Sequence, residues 1–208
     1  MEATEEELIY LKELVSLRTK QRVPIPIKEQ GYISPTMVID NFLYHGDLNH
    51  GRDKKLLKEL DIRHIINLCD YELEKDILDQ FNVLWIDTDD DISTNINQYF
   101  QKTNQFLGSC KEKDEKVLVH CQMGISRSSS IVLAYLMKYH HDSLAQAYDY
   151  LIERRRYAAP NAGFFLQLIR YEKTLKKMKE IVDNEQNLVV SPNVTDKLVV
   201  DNNISLDK

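Results

Sequence analysis

The segment Lys116-Val-Leu-Val-His-Cys121-Gln-Met-Gly124-Ile-Ser-Arg127-Ser-Ser-Ser130 constrains this chain more than any other. It begins with a brief, continuous apolar run, the pattern of a strand buried on both faces. It leads into residues 131–137, apolar nearly all round, which predict a central helix over 130–139. Between them lies a turn from Cys121 to Arg127. In a strand–turn–helix of this kind the backbone N–H groups of the turn can converge on one point. The helix start adds its unpaired N–H groups and positive dipole end. The result is a nest suited to a tetrahedral dianion, and Gly124 lets the backbone bend without a Cβ clash.

The rest of the chain supplies a scaffold of matching type. Residues 37–44 predict two short strands around the Asp40-Asn41 turn. Further strands are expected at 62–68, 83–86 and 117–119, and helices at 54–60, 72–80, 96–111, 143–155 and 162–181. This alternation implies an α/β fold, a central mostly parallel sheet flanked by helices. Thr4 and Glu7 form a capping box ahead of Leu8, Leu11, Leu14 and Val15, so residues 4–19 are expected to be an amphipathic helix. The organisation expected is a helix and arm over 1–32, one domain over 33–180, and a polar, disordered tail over 181–208.

The field that holds an anion in the turn also favours thiolate over thiol at Cys121, and the thiolate is the nucleophile. Arg127 follows six residues later, where the loop closes. Its planar guanidinium can bind two phosphate oxygens at once and keep doing so as charge spreads. Substrate phosphate would meet the backbone of Gln122, Met123, Gly124, Ile125 and Ser126, together with Arg127.

His120-Cys121-Gln-Met-Gly124-Ile-Ser-Arg127-Ser128 is similar to the HCxxGxxR[S/T] signature of the protein tyrosine phosphatase superfamily. The later Ala134-Tyr-Leu-Met and Pro160-Asn161-Ala-Gly163-Phe164 resemble its dual-specificity branch, and the likeness spans about residues 33–178. The resemblance implies a phosphotyrosine phosphatase-like fold and a cysteine-dependent protein phosphatase, with Cys121, Arg127, Asp90 and Ser128 as catalytic residues. Its general acid is an Asp on a loop after an earlier strand. Asp87, Asp89, Asp90 and Asp91 are available, and Asp90 is chosen because Tyr99 stands nine residues beyond it. Ser128 is expected to stabilise the departing thiolate, and His120 to support the loop through hydrogen bonds. Asn161 either caps the last helix or braces the phosphate loop. Arg156, four residues before Pro160, is a candidate for a second substrate phosphate, against a solvated helix end. Cys69 is a candidate redox partner of Cys121, against an inert buried thiol.

Composition closes off other classes. A formal net charge of -6 gives no reason to expect nucleic acid as a partner. No apolar run is long enough to span a bilayer, so no membrane role is expected. Three cysteines, Cys69, Cys110 and Cys121, make neither a disulfide framework nor a zinc site. No metal and no cofactor is expected, and the placement expected is cytoplasmic with the nucleus left open. The partner expected is a phosphoprotein substrate, and the sequence leaves the oligomeric state unknown. Gln122, Met123, Ile125 and Ser126 are neutral, which argues against a highly anionic lipid or RNA terminus. The competing readings are a phosphatase for a lipid, RNA or sugar phosphate, and a phosphate-binding pseudophosphatase that has kept its Cys and Arg.

Overall fold

The computed structural model describes residues 2–20 and 34–189. Most of the expected N-terminal arm and most of the expected tail lie outside the described residues. Met1–Leu175 form one compact unit and Lys176–Lys208 a second. The described part of the second unit is helical.

Five strands form one mixed sheet: β1 (Thr36–Ile39), β2 (Leu43–Gly46), β3 (Ile62–Asn67), β4 (Asn82–Trp85) and β5 (Lys116–His120). Their order is β1-β2-β5-β3-β4. The β1–β2 hairpin is antiparallel, turning through Asn41 at φ 53°. The β2–β5, β5–β3 and β3–β4 pairings are parallel. β5, with Val117, Leu118 and Val119 fully buried, is the central strand.

Alternation along the strands sorts side chains into two cores. Leu43, Ile66, Val117 and Val119 join the larger cluster. That cluster includes side chains from α5 (Phe100–Glu112), α6 (Arg127–Tyr139), α7 (Leu144–Arg154) and α8 (Ala162–Val189). Tyr44, Ile65 and Leu118 point the other way, into a smaller cluster with Leu48, Leu57 and Ile77. Those three come from α2 (Leu48–Arg52), α3 (Lys54–Glu59) and α4 (Lys75–Leu78). The same parity puts Cys121 with the larger cluster and turns His120 toward α2.

Several local expectations change. In α1 (Glu5–Lys20), Leu14 is fully buried, but Leu8 and Val15 are 44% and 51% exposed. The inward stripe is instead Glu7, Tyr10, Leu11, Leu14 and Leu17. It is set by contact with α7 and by Arg170, whose Nε and Nη2 donate to Glu7 at 2.9 and 2.8 Å. The helix expected over 72–80 shrinks to α4: Asn67 Nδ2 donates to the Tyr71 carbonyl at 2.9 Å across a bend at 69–71, and Glu74, at ψ 148°, is still extended just before α4. The helix α2 was not anticipated. Asp47 starts it with a capping box in which His50, rather than Glu or Gln, supplies the reciprocal side chain. A 3-10 turn, Ile96–Tyr99, precedes α5. Finally, α8 runs past residue 181 to Val189, correcting the expected start of the tail. After Gly163 no Gly or Pro occurs before Pro192, and Lys176/Glu180 and Lys179/Asp183 stand at the spacing that favours helix.

Candidate active site

The segment from Cys121 to Arg127 leaves the C-terminal end of β5 and enters α6. Its carbonyls are tied outward, to different parts of the scaffold. Gln122 O accepts from Leu48 N at 3.3 Å, Gly124 O from Arg155 Nε at 3.0 Å, and Ile125 O from Ala159 N at 2.8 Å. Ser126 O accepts from Ser130 N and Oγ at 3.0 and 2.9 Å. In a planar trans peptide the next residue's N–H points opposite to the carbonyl. The amides of Met123, Ile125, Ser126 and Arg127 are therefore turned into the loop, a concavity built for an anion. Gly124 has φ 62°, and a Cβ there would collide with Gly46 O and Arg155 Nη2, so no other residue fits.

Cys121 is buried at the base of this loop, with its Sγ 3.1 Å from Ser128 Oγ. Arg127 is buried and its Nη1 donates to Leu68 O and Thr88 O, both at 3.0 Å. These carbonyls follow β3 and β4, so the sheet edge fixes the guanidinium. Arg127 Nε has no hydrogen-bond partner among the described residues, which leaves a donor for an anion. His120 packs its ring on Gly51 of α2 and approaches the Cys121 backbone. Burial dominates and holds its proton affinity down to about 4, so the ring is neutral. Among the described residues neither ring nitrogen reaches a partner at full hydrogen-bonding geometry, and packing on Gly51 is its main contact.

The four candidate aspartates separate clearly. Asp90 Oδ1 accepts from Ser126 Oγ at 2.6 Å and from Asn161 Nδ2 at 2.9 Å, which brings its carboxyl to the anion loop. Asp91 Oδ1 instead accepts from Ser93 N at 2.8 Å; bonds from the Ser93 hydroxyl and amide hold its carboxyl below the usual range. Asp87 is engaged through its backbone carbonyl, 3.4 Å from Tyr99 Oη. Asp89 is exposed. Asn161 touches both the start of α8 and the loop that follows Cys121. Its Oδ1 caps α8 through Phe164 N at 2.9 Å, while its backbone N donates to Ser126 Oγ at 3.0 Å. Gly163 lets this loop lie close, since a Cβ there would meet Ile92 O.

Two residues of the site were missed by sequence reasoning. Arg155, not its neighbours, is the buried member of the arginine run, bracing Gly124 O and reaching Thr36 Oγ1 at 3.2 Å. Its position at the end of an amphipathic helix concealed this. His45 is the other: a histidine inside a fully buried strand is the signal that could have revealed it, and its Nε2 lies 2.8 Å from Ser128 Oγ. Arg156 is exposed just beyond α7. Cys69 is buried two residues past β3, its thiol pushed up to about 11 by burial and then by the charge of Cys121. Met123, 56% exposed, and Gln122, whose Oε1 accepts from Tyr71 Oη at 2.7 Å, stand at the loop's outer side.

Comparison with known proteins agrees with this geometry. Residues 43–174 match the family model for the dual specificity phosphatase catalytic domain. The chain is 37% identical to human dual specificity protein phosphatase 5 over 147 residues, 71% of this chain and 37% of that protein. It is 37% identical to dual specificity protein phosphatase 1 of Arabidopsis thaliana over 139 residues, 67% of this chain and 70% of that protein. Among solved structures it is similar to DUSP15, with a TM-score of 0.65 and 27% identity, covering 74% of this chain and 97% of that one. A human tyrosine phosphatase-like serine/threonine/tyrosine-interacting protein gives a TM-score of 0.61 at 29% identity, covering 72% and 97%. The matches span only 29% and 37% of the length of the first curated relatives. No helix among the described residues is long and apolar enough to cross a membrane. With its signature loop, sheet order and family match in agreement, the chain belongs to the dual specificity phosphatase family of cysteine-dependent phosphatases.

Proposed function

We propose that this protein hydrolyses phosphotyrosine and phosphoserine or phosphothreonine in proteins through a cysteinyl-phosphate intermediate. The observation that carries the reading is the tie between Asp90 and Ser126, which sets a carboxyl at the mouth of the loop that begins with Cys121. In the first step Cys121 Sγ attacks phosphorus, the P–O bond to the leaving group breaks, and Asp90 gives that oxygen its proton. In the second, Asp90 takes a proton from water as the water oxygen bonds to phosphorus, and the P–S electron pair returns to sulfur. Arg127 Nε and the inward amides bind the equatorial oxygens throughout. Arg156 would meet a second phosphate on the same substrate. The neutral loop supports a protein substrate over a polyanionic lipid. The reactive thiol favours a reducing compartment, the cytoplasm with access to the nucleus.

The test is turnover of a small aryl phosphate by the native protein and by Cys121→Ser, followed by a panel of phosphopeptides, phosphoinositides and RNA 5′-triphosphates. Turnover by the native protein alone, with phosphopeptides preferred, supports the reading. Binding of phosphopeptide without turnover would make the protein a phosphate-binding module instead. For Cys69, mild peroxide and mass spectrometry should find it bridged to Cys121; a sulfinic Cys121 with no bridge rejects the pairing.

A further inference from the structure

The buried run of β2 contains a histidine. Parity puts His45 on the sheet face of Leu43, Val117 and Val119, the face that packs with α6. Its Nε2 lies 2.8 Å from Ser128 Oγ, and that same oxygen lies 3.1 Å from Cys121 Sγ. His45, Ser128 and Cys121 are all buried. The three side chains form a line from the sheet to the sulfur.

Ser128 has one hydroxyl proton and can direct it to only one of its two neighbours. A thiolate can only accept. Whenever Cys121 is ionised, the Ser128 proton therefore has to point at sulfur, and Oγ offers His45 a lone pair. His45 must then carry its own proton on Nε2. The other ring nitrogen leads to the same tautomer by a separate route. Nδ1 is buried and has no hydrogen-bond partner among the described residues. An N–H there would be an orphaned buried donor, whereas a bare acceptor is the better tolerated of the two. Burial, with the nearby charge of Arg155, keeps the ring neutral, so it holds one proton rather than two.

We propose that His45 is a positioning residue: its Nε2–H donates to Ser128 Oγ and aims the Ser128 O–H at Cys121 Sγ. The proposal rests on the cysteinyl-phosphate cycle above and concerns its second half. There the P–S bond breaks and sulfur regains a full charge in a buried site. A hydrogen bond already aligned on sulfur strengthens as that charge develops. In the attack step the same bond weakens, so it favours breakdown of the intermediate over its formation.

The experiment compares the full chain as wild type, His45→Leu, His45→Gln, Ser128→Ala and the His45→Leu/Ser128→Ala double variant. The readout is presteady-state turnover of an aryl phosphate, with thermal melts to establish folding. His45→Leu should lower kcat about three- to tenfold, the scale of one lost hydrogen bond, while kcat/KM holds and acid quench traps more phosphoenzyme. His45→Gln, whose amide donates from near the Nε2 position, should recover most of the lost rate. In the Ser128→Ala background the His45→Leu change should add nothing. Equal falls in kcat and kcat/KM, an undiminished effect without Ser128, or a folded Gln variant as slow as the Leu variant would overturn the role. Should His45→Leu not fold, His45→Asn, too short to reach Ser128, replaces it against His45→Gln in the same test. A wild type that turns over nothing overturns the cycle itself, and this proposal with it.

Discussion

Ser126 Oγ donates to Asp90 Oδ1 across 2.6 Å, so one hydrogen bond joins the anion loop to the loop that carries the acid. Asn161 donates to the same carboxylate oxygen at 2.9 Å and to Ser126 Oγ through its backbone at 3.0 Å. Three segments distant in sequence meet at one carboxyl. This arrangement holds Asp90 in place before any substrate arrives.

Asp90→Asn should lower kcat/KM on phenyl phosphate, which reports the attack step, by about 10²–10⁴-fold, the usual worth of a positioned general acid. The loss should be far smaller on a dinitrophenyl ester, whose leaving group needs no proton. Asp91→Asn should show no such dependence on the leaving group, because its carboxylate is occupied with Ser93. A leaving-group series on the two variants checks both statements.

Arg155 and Arg156 should behave as opposites despite being adjacent. Arg155→Ala removes the brace on Gly124 O and should lower kcat/KM about 10²-fold on any substrate, since small displacements of an anion loop are that costly. Arg156→Ala should leave a single-phosphate aryl substrate unaffected and weaken only doubly phosphorylated peptides. Steady-state kinetics on the two substrate types distinguishes them.

The ion pair between Glu7 and Arg170 should register in acid stability. Hydrogen bonds from Arg170 lower the Glu7 carboxyl from 4.5 to about 2, against the opposing effect of burial. A depressed carboxyl stabilises the fold fully above its unfolded value and loses that contribution as pH falls through its folded one. The stability gap between wild type and Glu7→Gln should therefore be constant above about pH 5 and shrink between pH 4.5 and about 2. Urea titrations across that range measure it, and a gap independent of pH would remove the ion pair as its cause.

Leu14→Ala should destabilise the protein by about 2–5 kcal/mol, because Leu14 is fully buried and leaves a cavity. Leu8→Ala, at an exposed position of the same helix, should stay within about 0.5 kcal/mol. Urea unfolding of the two variants would show whether α1 belongs to the folded core.

The anion loop was legible in the sequence because its chemistry is local. Cys121, Gly124 and Arg127 sit in one short segment, and strand and helix periodicity on either side fixed its setting. The central strand and central helix followed from the same apolar continuity. What escaped was set by contacts across the chain. The inward face of α1 depends on Arg170, 163 residues away from Glu7, and apolar spacing alone selected Leu8 and Val15 wrongly. His45 is 83 residues from Ser128, and no local pattern couples a strand histidine to a helix serine. In the arginine run the sequence singled out Arg156, and only the fold shows that Arg155 is the one turned inward.

The outward ties of the loop have a further consequence. Gln122, Gly124 and Ile125 are held by α2, by the end of α7 and by the connection to α8, so phosphate-binding capacity belongs to no contiguous fragment. Each tie is a separate point of failure. Fraying at any one of these peripheral elements should weaken oxyanion affinity while the sheet stays intact. Tungstate or vanadate binding would then act as a gauge of the whole domain's tertiary integrity, reporting partial opening that bulk secondary-structure signals would miss.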